Sequence, residues 1–194
     1  KPEGISKGMR SIITLNITSL SKRVKGWLRR LDYDIICIQE HKMIKKSAFN
    51  FMDRYYVQFT PARITTGDLV DGPTWDTKNR SGGTAILIKK QICRHIPHGV
   101  PSKGLNWCGV IIKGRKGRLL NIVTSYIRHG TDSINQQTMQ EVMTYTGVFS
   151  IPTLWMGDFN RTSDELVNDY PFTDQYQSRV PNVDTTCAGG RTID

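Results

Sequence analysis

The stretch Thr153-Leu154-Trp155-Met156-Gly157-Asp158-Phe159-Asn160 is an apolar run that stops abruptly at Gly-Asp-Phe-Asn. It reads as a buried strand whose carboxyl end delivers a carboxylate and then a carboxamide to the mouth of a pocket. An Asp two residues before an Asn can hold a water and a phosphate oxygen together, which suits phosphodiester chemistry. As plain turn formers, a role both residues often take, the same pair would carry no chemistry. The rest of the chain decides between these readings.

The segments before it repeat the pattern of a strand closed by a polar residue. Ser11 to Leu15 is a short β-type run ending at Asn16. In the helical pattern that follows, Val24, Trp27, Leu28 and Leu31 recur at i, i+3, i+4 and i+7, with Lys22, Arg23, Lys25, Arg29 and Arg30 on the opposite, solvated face. Ile35 to Gln39 is a second strand, closed by Glu40-His41-Lys42. This makes a β-α-β opening whose two strands end in Asn16 and Glu40, and in sheets flanked by helices ligand sites gather at such ends.

Residues 48 to 60 read as a short helix or turn and then a strand around Tyr56 to Phe59. Pro61 to Gly82 is a long loop in which Arg63, Lys78 and Arg80 surround Trp75, and loops of this length in compact domains are usually functional. Thr84 to Ile88 is a buried strand. Trp107 to Ile112 and Arg118 to Ser125 form a hairpin across the basic, Gly-containing connection that carries Arg115 and Lys116; the second run ends at Tyr126. Ser133-x-x-Gln136 is a capping-box pattern opening a helix to about Phe149, with Ile134, Val142, Met143 and Phe149 inward. Beyond Asn160 the chain reads as irregular.

With 194 residues there is enough chain for one sizeable core but not for two comfortable domains, so residues 1 to 194 are expected to form a single domain of mixed strands and helices. A net charge of +10, from 27 Lys and Arg against 17 Asp and Glu, favours a polyanionic partner. Nucleic acid ranks above membrane, because no amphipathic basic helix with an aromatic apolar face is present. The arginines and lysines of the two long loops, Arg63, Lys78, Arg80, Arg115 and Lys116, together with Trp75, are the nucleic-acid-binding candidates. Four widely spaced cysteines without a Cys-x-x-Cys pair argue against structural zinc and a disulfide framework, and point to reduced thiols in an intracellular compartment. The nucleus is the expected compartment, with an organelle as the alternative. Cys37, inside an apolar strand, reads as a small buried thiol.

Asn16, Glu40, Tyr126 and the Asp158/Asn160 pair therefore close successive strands, and Asp194 follows a Gly-Gly-Arg lead. Glu40 is a hard oxygen ligand suited to Mg²⁺, with Mn²⁺ as the alternative. Asp158 is placed to orient and deprotonate a water, while Asn16, Asn160 and Tyr126 can donate to phosphate oxygens. The metal would neutralise charge in an in-line displacement.

The set Leu15-Asn16, Ile38-Gln39-Glu40, Ser125-Tyr126, Gly157-Asp158-Phe159-Asn160 and Arg191-Thr192-Ile193-Asp194 resembles the endonuclease/exonuclease/phosphatase superfamily in order and approximate spacing. Gln39-Glu40-His41 and Gly82 to Ile88 tilt the resemblance toward the apurinic-type endonuclease domains of non-LTR retrotransposons and the related abasic-site endonucleases. The resemblance implies an α/β four-layer sandwich, two mostly antiparallel sheets face to face with helices outside, and Mg²⁺-dependent cleavage of a phosphodiester. It assigns the metal to Glu40, water orientation to Asp158, phosphate binding to Asn160, supporting roles to Asn16 and Tyr126, and support of a catalytic histidine to Asp194.

That family carries a Ser-Asp-His motif some tens of residues after the position of Asp194, where this sequence stops. The expectation is a C-terminally incomplete domain, lacking its last strand or strands, with the histidine on a second chain or on a trimmed segment. Of the four histidines, His41 should point away from the pocket, and His129, near Tyr126, is placed to improvise a substitute. Two functions follow: an Mg²⁺-dependent enzyme nicking DNA, or a catalytically inactive domain binding RNA or another nucleic acid as a scaffold in a ribonucleoprotein such as a ribosome.

Overall fold

The protein was described from a computed structural model, which covers residues 11–64, 80–93, 102–113, 117–130, 133–149 and 151–171. Trp75, Lys78, Arg115, Lys116 and Asp194 lie outside the described residues.

The first sheet contains β1 (Ile12–Asn16), β2 (Ile35–Gln39), β3 (Tyr55–Thr60) and β6 (Thr84–Lys89), in the order β1-β2-β6-β3. The second contains β7 (Ser102–Gly104), β8 (Trp107–Lys113), β9 (Leu119–Tyr126) and β10 (Thr153–Asp158), in the order β10-β9-β8-β7. Each sheet has one parallel pair, β1 with β2 and β10 with β9, followed by antiparallel pairs, so both are mixed. A ribbon of β4 (Arg63–Ile64) and β5 (Arg80–Ser81) pairs the two ends of the loop expected between Pro61 and Gly82.

The period-two alternation of the strands assigns the layers. Ile35, Cys37, Ile86, Ile88, Cys108, Val110, Ile112 and Ile122 meet between the sheets as one core. The alternate residues Ile36, Ile38, Val57, Phe59 and Leu87 face outward, where Leu28 of α1 (Lys22–Leu28) and Phe49 of a 3-10 turn cover them. On the second sheet, Trp107 and Val123 pack under Val142 and Tyr145 of α3 (Ser133–Phe149). Helix, sheet, sheet and helix stack as the expected four-layer α/β sandwich. Cys37 and Cys108 are buried free thiols of the central layer, and burial, with Cys108 adding to it, pushes the Cys37 thiol well above its ordinary range.

Four details differ from the sequence reading. Helix α1 is short because Ser21 caps its start, with Oγ accepting from the Val24 N–H, and the chain leaves the helix at Arg29. Trp27 is exposed rather than part of the buried stripe, and Lys25 and Arg29 of the nominally solvated face stand over the Phe51 ring at 5.6 and 5.5 Å. On α3 the fully buried residues are Asn135, Thr138, Met139 and Val142, whereas Ile134 and Met143 are only half-buried. The segment after Asn160 forms α4 (Ser163–Asp169), opened by a Thr162/Glu165 capping box that escaped the reading because no apolar run follows it. Short elements α2 (Lys90–Cys93) and β7 also lacked a periodic signal.

Candidate active site at the ends of the parallel strands

The inner faces of the sheets change character along their length. Ile12, Thr14 and Asn16 succeed one another on β1; Ile35, Cys37 and Gln39 on β2; Ile122, Thr124 and Tyr126 on β9; Met156 and Asp158 on β10. Each series runs from aliphatic to polar toward the same end. Buried Gln39 marks the transition: its Nε2 donates to Thr14 Oγ1 at 2.9 Å and across the sandwich to Thr124 Oγ1 at 2.6 Å. A polar group this deep is tolerated because it is bonded.

Beyond that layer the structure brings Asn16, Glu40, Tyr126, Asp158 and Asn160 together. The Asp158 carboxylate is buried and held from two sides: Asn16 Nδ2 donates to Oδ2, and the Asn160 backbone N–H donates to Oδ1 at 3.1 Å. The Thr18 N–H in turn donates to Asn16 Oδ1 at 2.9 Å, which sets the amide orientation. Glu40 is paired with Lys42 at 3.4 Å. Burial first, and then the charges of Glu40 and Asp158, push the Tyr126 phenol up to about 12, so it keeps its proton at neutral pH and acts as a donor.

Asn160 makes a structural bond besides the role expected of it. Its side-chain Nδ2 donates to the Ile127 carbonyl at 2.8 Å, and the Ile127 N–H donates to the Asp158 carbonyl at 2.8 Å, so the amide helps bind the motif to the loop after β9. Arg161, missed in the sequence, strengthens the same junction. Nearly buried, it pairs with Asp169 at 2.7 Å and donates to the carbonyls of Gly130 at 2.7 Å and Asn160 at 3.0 Å. Asn135 accepts from the Arg128 N–H at 3.0 Å and donates back to the carbonyls of Arg128 and Gly130. An arginine directly after Gly-Asp-Phe-Asn, with acids at one-turn spacing in the following helix, was the available signal.

Backbone strain gathers here too. Among the described non-glycine residues, positive φ occurs at Thr18, Glu40, Lys42 and Asn160, in the turns after β1, β2 and β10, and otherwise at Asn106 before β8. Left-handed conformations cost roughly 1–2 kcal/mol each outside glycine and persist where surrounding structure enforces them.

His41 is not a catalytic candidate. Fully buried, it stacks on Phe59 at 4.9 Å and meets Phe49 edge-on at 5.3 Å. Its Nδ1 accepts from the Met43 N–H at 2.9 Å, and its Nε2 lies 3.2 Å from the Thr60 carbonyl, which fits the Nε2-protonated tautomer. Burial lowers it to about 4. His129 is exposed in the loop after β9. Of the nucleic-acid-binding candidates that are described, Arg63 is exposed and lies opposite Ser81, and Arg80 is half-buried and lies opposite Ile64, in the β4-β5 ribbon, which leaves the first sheet at the mouth end through Thr60 and Thr84.

Among the described residues, no three His, Cys, Asp or Glu side chains converge as a closed metal cage. Mg²⁺ does not require one, since it binds through one or two carboxylates and keeps several waters. Glu40, half-buried at the mouth and paired with Lys42, is a hard oxygen donor of the type such a cation takes.

The two mixed sheets with polar strand ends define a nuclease- or phosphatase-type hydrolase fold. The chain belongs to the Endonuclease/Exonuclease/phosphatase family, whose sequence profile matches residues 13–194. Its fold is similar to that of the human Nocturnin catalytic domain solved with a bound sulfate anion (TM-score 0.60, 16% identity, 82% of this chain and 67% of that one). It is also similar to ANGEL2, a 2',3'-cyclic phosphatase (0.54, 10%, 83% and 55%), and to an endonuclease/exonuclease/phosphatase from Bacteroides vulgatus (0.51, 14%, 86% and 70%). The chain thus spans little more than half the length of ANGEL2 and about two thirds of the other two. No curated protein sequence matches it.

Proposed function

We propose that this chain is a divalent-metal-dependent phosphodiesterase domain that nicks DNA, of the kind carried by non-LTR retrotransposons or acting at abasic sites. The observation that carries this reading is the Asp158 carboxylate, buried at the mouth and oriented by Asn16 on one oxygen and Asn160 on the other. A carboxylate fixed in this way is a base with a defined direction rather than a mobile surface charge.

In this reading Asp158 orients the attacking water and takes its proton. Asn16 has a second amide N–H and can present it to a phosphate oxygen. Tyr126, protonated throughout the neutral range, donates its hydroxyl to the substrate. Asn160 is proposed to bind a phosphate oxygen and, with Arg161, to hold the loop after β9 against the motif. Glu40 would hold Mg²⁺, or Mn²⁺, which when bound supplies charge neutralisation at the phosphate. Arg63 and Arg80, in the ribbon at the mouth end, are proposed to contact the nucleic acid, as are Trp75, Lys78, Arg115 and Lys116, and Asp194 to support a catalytic histidine supplied by a further segment or second chain. The nucleus is the proposed compartment.

The rival function, an inactive domain that binds RNA as a scaffold, draws on the Lys42–Glu40 pair, which neutralises the metal-binding carboxylate, and on the +10 charge. Incubation with a duplex carrying one abasic site, an intact duplex and a single-stranded RNA, each in Mg²⁺ and in EDTA, separates the two. Metal-dependent cleavage of duplex DNA supports the enzyme. Tight RNA binding that is unchanged by EDTA and by Asp158→Ala, with no cleavage of any substrate, supports the scaffold and overturns the proposal.

A further inference from the structure

Two cavities of ≈ 470 and ≈ 430 Å³ adjoin at the segment 50–55, where Asn50, Met52, Asp53 and Tyr55 line both. Sharing these residues, they count as one groove, at the end of the first sheet remote from the candidate active site. The ladder fixes this placement: Gln39 and Thr60 face Thr84 at the mouth end, whereas Ile35 faces Ile88 and Tyr55 faces Lys89 at the other. Five to six residues of strand separate the ends, roughly 17–20 Å.

The groove is lined by four cations and one carboxylate. Arg29 and Arg54 flank one cavity, Lys46 and Lys90 the other, and Asp53 borders both. All four cations are exposed, and none of them pairs with a carboxylate among the described residues. Lys89, next to Lys90, behaves differently: it is bonded to Asp32 and Asp34 at 3.0 and 3.3 Å, which leaves Asp53 as the carboxylate facing the four cations.

The cations are not randomly splayed. Arg29 and Lys25 both stand over Phe51, which places two positive charges on a single ring without an anion between them. Lys46 stands over Tyr56 at 5.2 Å. Arg54 donates to the Arg29 carbonyl at 3.2 Å, which ties the end of α1 to the rim of the groove. In each of these contacts the charged group itself lies over the aromatic face, so the ring fixes where the charge sits at the rim. Holding like charges together in this way favours an extended anion that can neutralise several at once.

We propose that this groove is a second nucleic-acid-binding surface, distinct from the mouth, that takes the phosphodiester backbone of a single strand without regard to sequence. A backbone presents regularly spaced phosphates to Arg29 and Arg54 and then to Lys46 and Lys90, and its binding releases condensed counterions. Because the groove faces away from the Asp158 carboxylate, it holds a strand other than the segment at the mouth. The proposal does not depend on the domain being catalytically active.

The test uses the full chain and a fluorescein-labelled single-stranded 20-mer, with anisotropy measured across a salt series. Arg29→Gln, Arg54→Gln, Lys46→Gln and Lys90→Gln are combined in one variant and also made singly, and far-UV circular dichroism checks each fold. The combined variant is expected to bind at least tenfold more weakly, and its plot of log affinity against log salt to be shallower by about two to three, from about 0.7 per lost phosphate contact. Single variants should each lose a smaller share, which keeps the test valid should the combined variant misfold. Asp158→Ala should leave this binding in place. Unchanged affinity and salt slope in the folded variants would overturn the proposal. So would binding to phosphatidylserine vesicles in place of the oligonucleotide, which would assign the groove to a membrane surface. A chain that cleaves nothing but loses strand binding in the variants refutes the enzyme and keeps the groove.

Discussion

The Asn16 carboxamide donates to Oδ2 of Asp158, joining residues 142 positions apart at the carboxyl ends of β1 and β10. The two strands belong to different sheets, and among the described residues each is the outer strand of its sheet, parallel to its neighbour. The mouth is therefore formed where two similarly ordered sheets bring their parallel edges together. Neither sheet alone can build it.

Removing this bond should affect rate more than fold. Asn16→Ala leaves Oδ2 of a buried carboxylate without its donor, at about 1–3 kcal/mol of stability. It should lower kcat by about 10²–10³-fold on a cleavable duplex, by analogy with the loss of one oriented donor in an active site. Single-turnover kinetics and chemical denaturation, run on the same preparation, measure the two effects.

His41 makes the fold acid-sensitive. Its folded value of about 4 lies below the ordinary 6.5, so the unfolded chain takes up a proton that the folded chain refuses. Its contribution to stability is complete above about pH 6.5 and falls as pH drops toward 4, with a slope approaching about 1.4 kcal/mol per pH unit. Relative to wild type, His41→Leu should remove that slope between pH 6.5 and 4 in urea titrations, while costing stability at pH 7 through the lost Met43 and Thr60 bonds.

Gly83 is required where it stands. Its φ is +85°, and an added Cβ would lie 2.5 Å from His41 Cε1. Gly83→Ala should destabilise by about 2–4 kcal/mol from backbone strain and overpacking together. Gly147 on α3, with nothing within 4 Å of an added Cβ, is the control: Gly147→Ala should stabilise by about 0.5–1 kcal/mol. Thermal melts of the two variants should move in opposite directions.

The strands were readable because alternating and continuous apolar runs are local signals, and Asn16, Glu40, Tyr126 and Asp158 were readable because each closes such a run. The inward aim of the first, third and fourth follows from phase: each keeps the parity of the aliphatic residues before it. Glu40 breaks that phase through a left-handed backbone at φ +56°, which no strand pattern reveals. What stayed hidden was set by tertiary contact. The acids that follow Arg161 hint at its ion pair with Asp169, but nothing local shows its bond to Gly130 across 31 positions. The stacking of Lys25 and Arg29 depends on Phe51, contributed by a turn after the next strand.

The Arg161 contacts give a further expectation. Arg161→Lys can keep an ion pair with Asp169 but cannot reach the Asn160 and Gly130 carbonyls in the same planar geometry. The variant should stay folded by circular dichroism, melt lower than wild type, and cleave more slowly with KM nearly unchanged, because the loop after β9 is then less firmly held. Equal kcat in the two proteins would remove Arg161 from the positioning of the motif.

The central claim is that the carboxylates at the ends of β2 and β10 perform metal-dependent phosphodiester hydrolysis. Conversion of supercoiled plasmid to the open-circular form, followed in Mg²⁺, in Mn²⁺ and in EDTA for the wild type, Glu40→Ala and Asp158→Ala, tests it most directly. The account predicts nicking by the wild type in either metal, none in EDTA, and loss in both variants while each still binds the plasmid. Nicking that persists in Asp158→Ala, or a wild type that binds the plasmid and never nicks it, would contradict it.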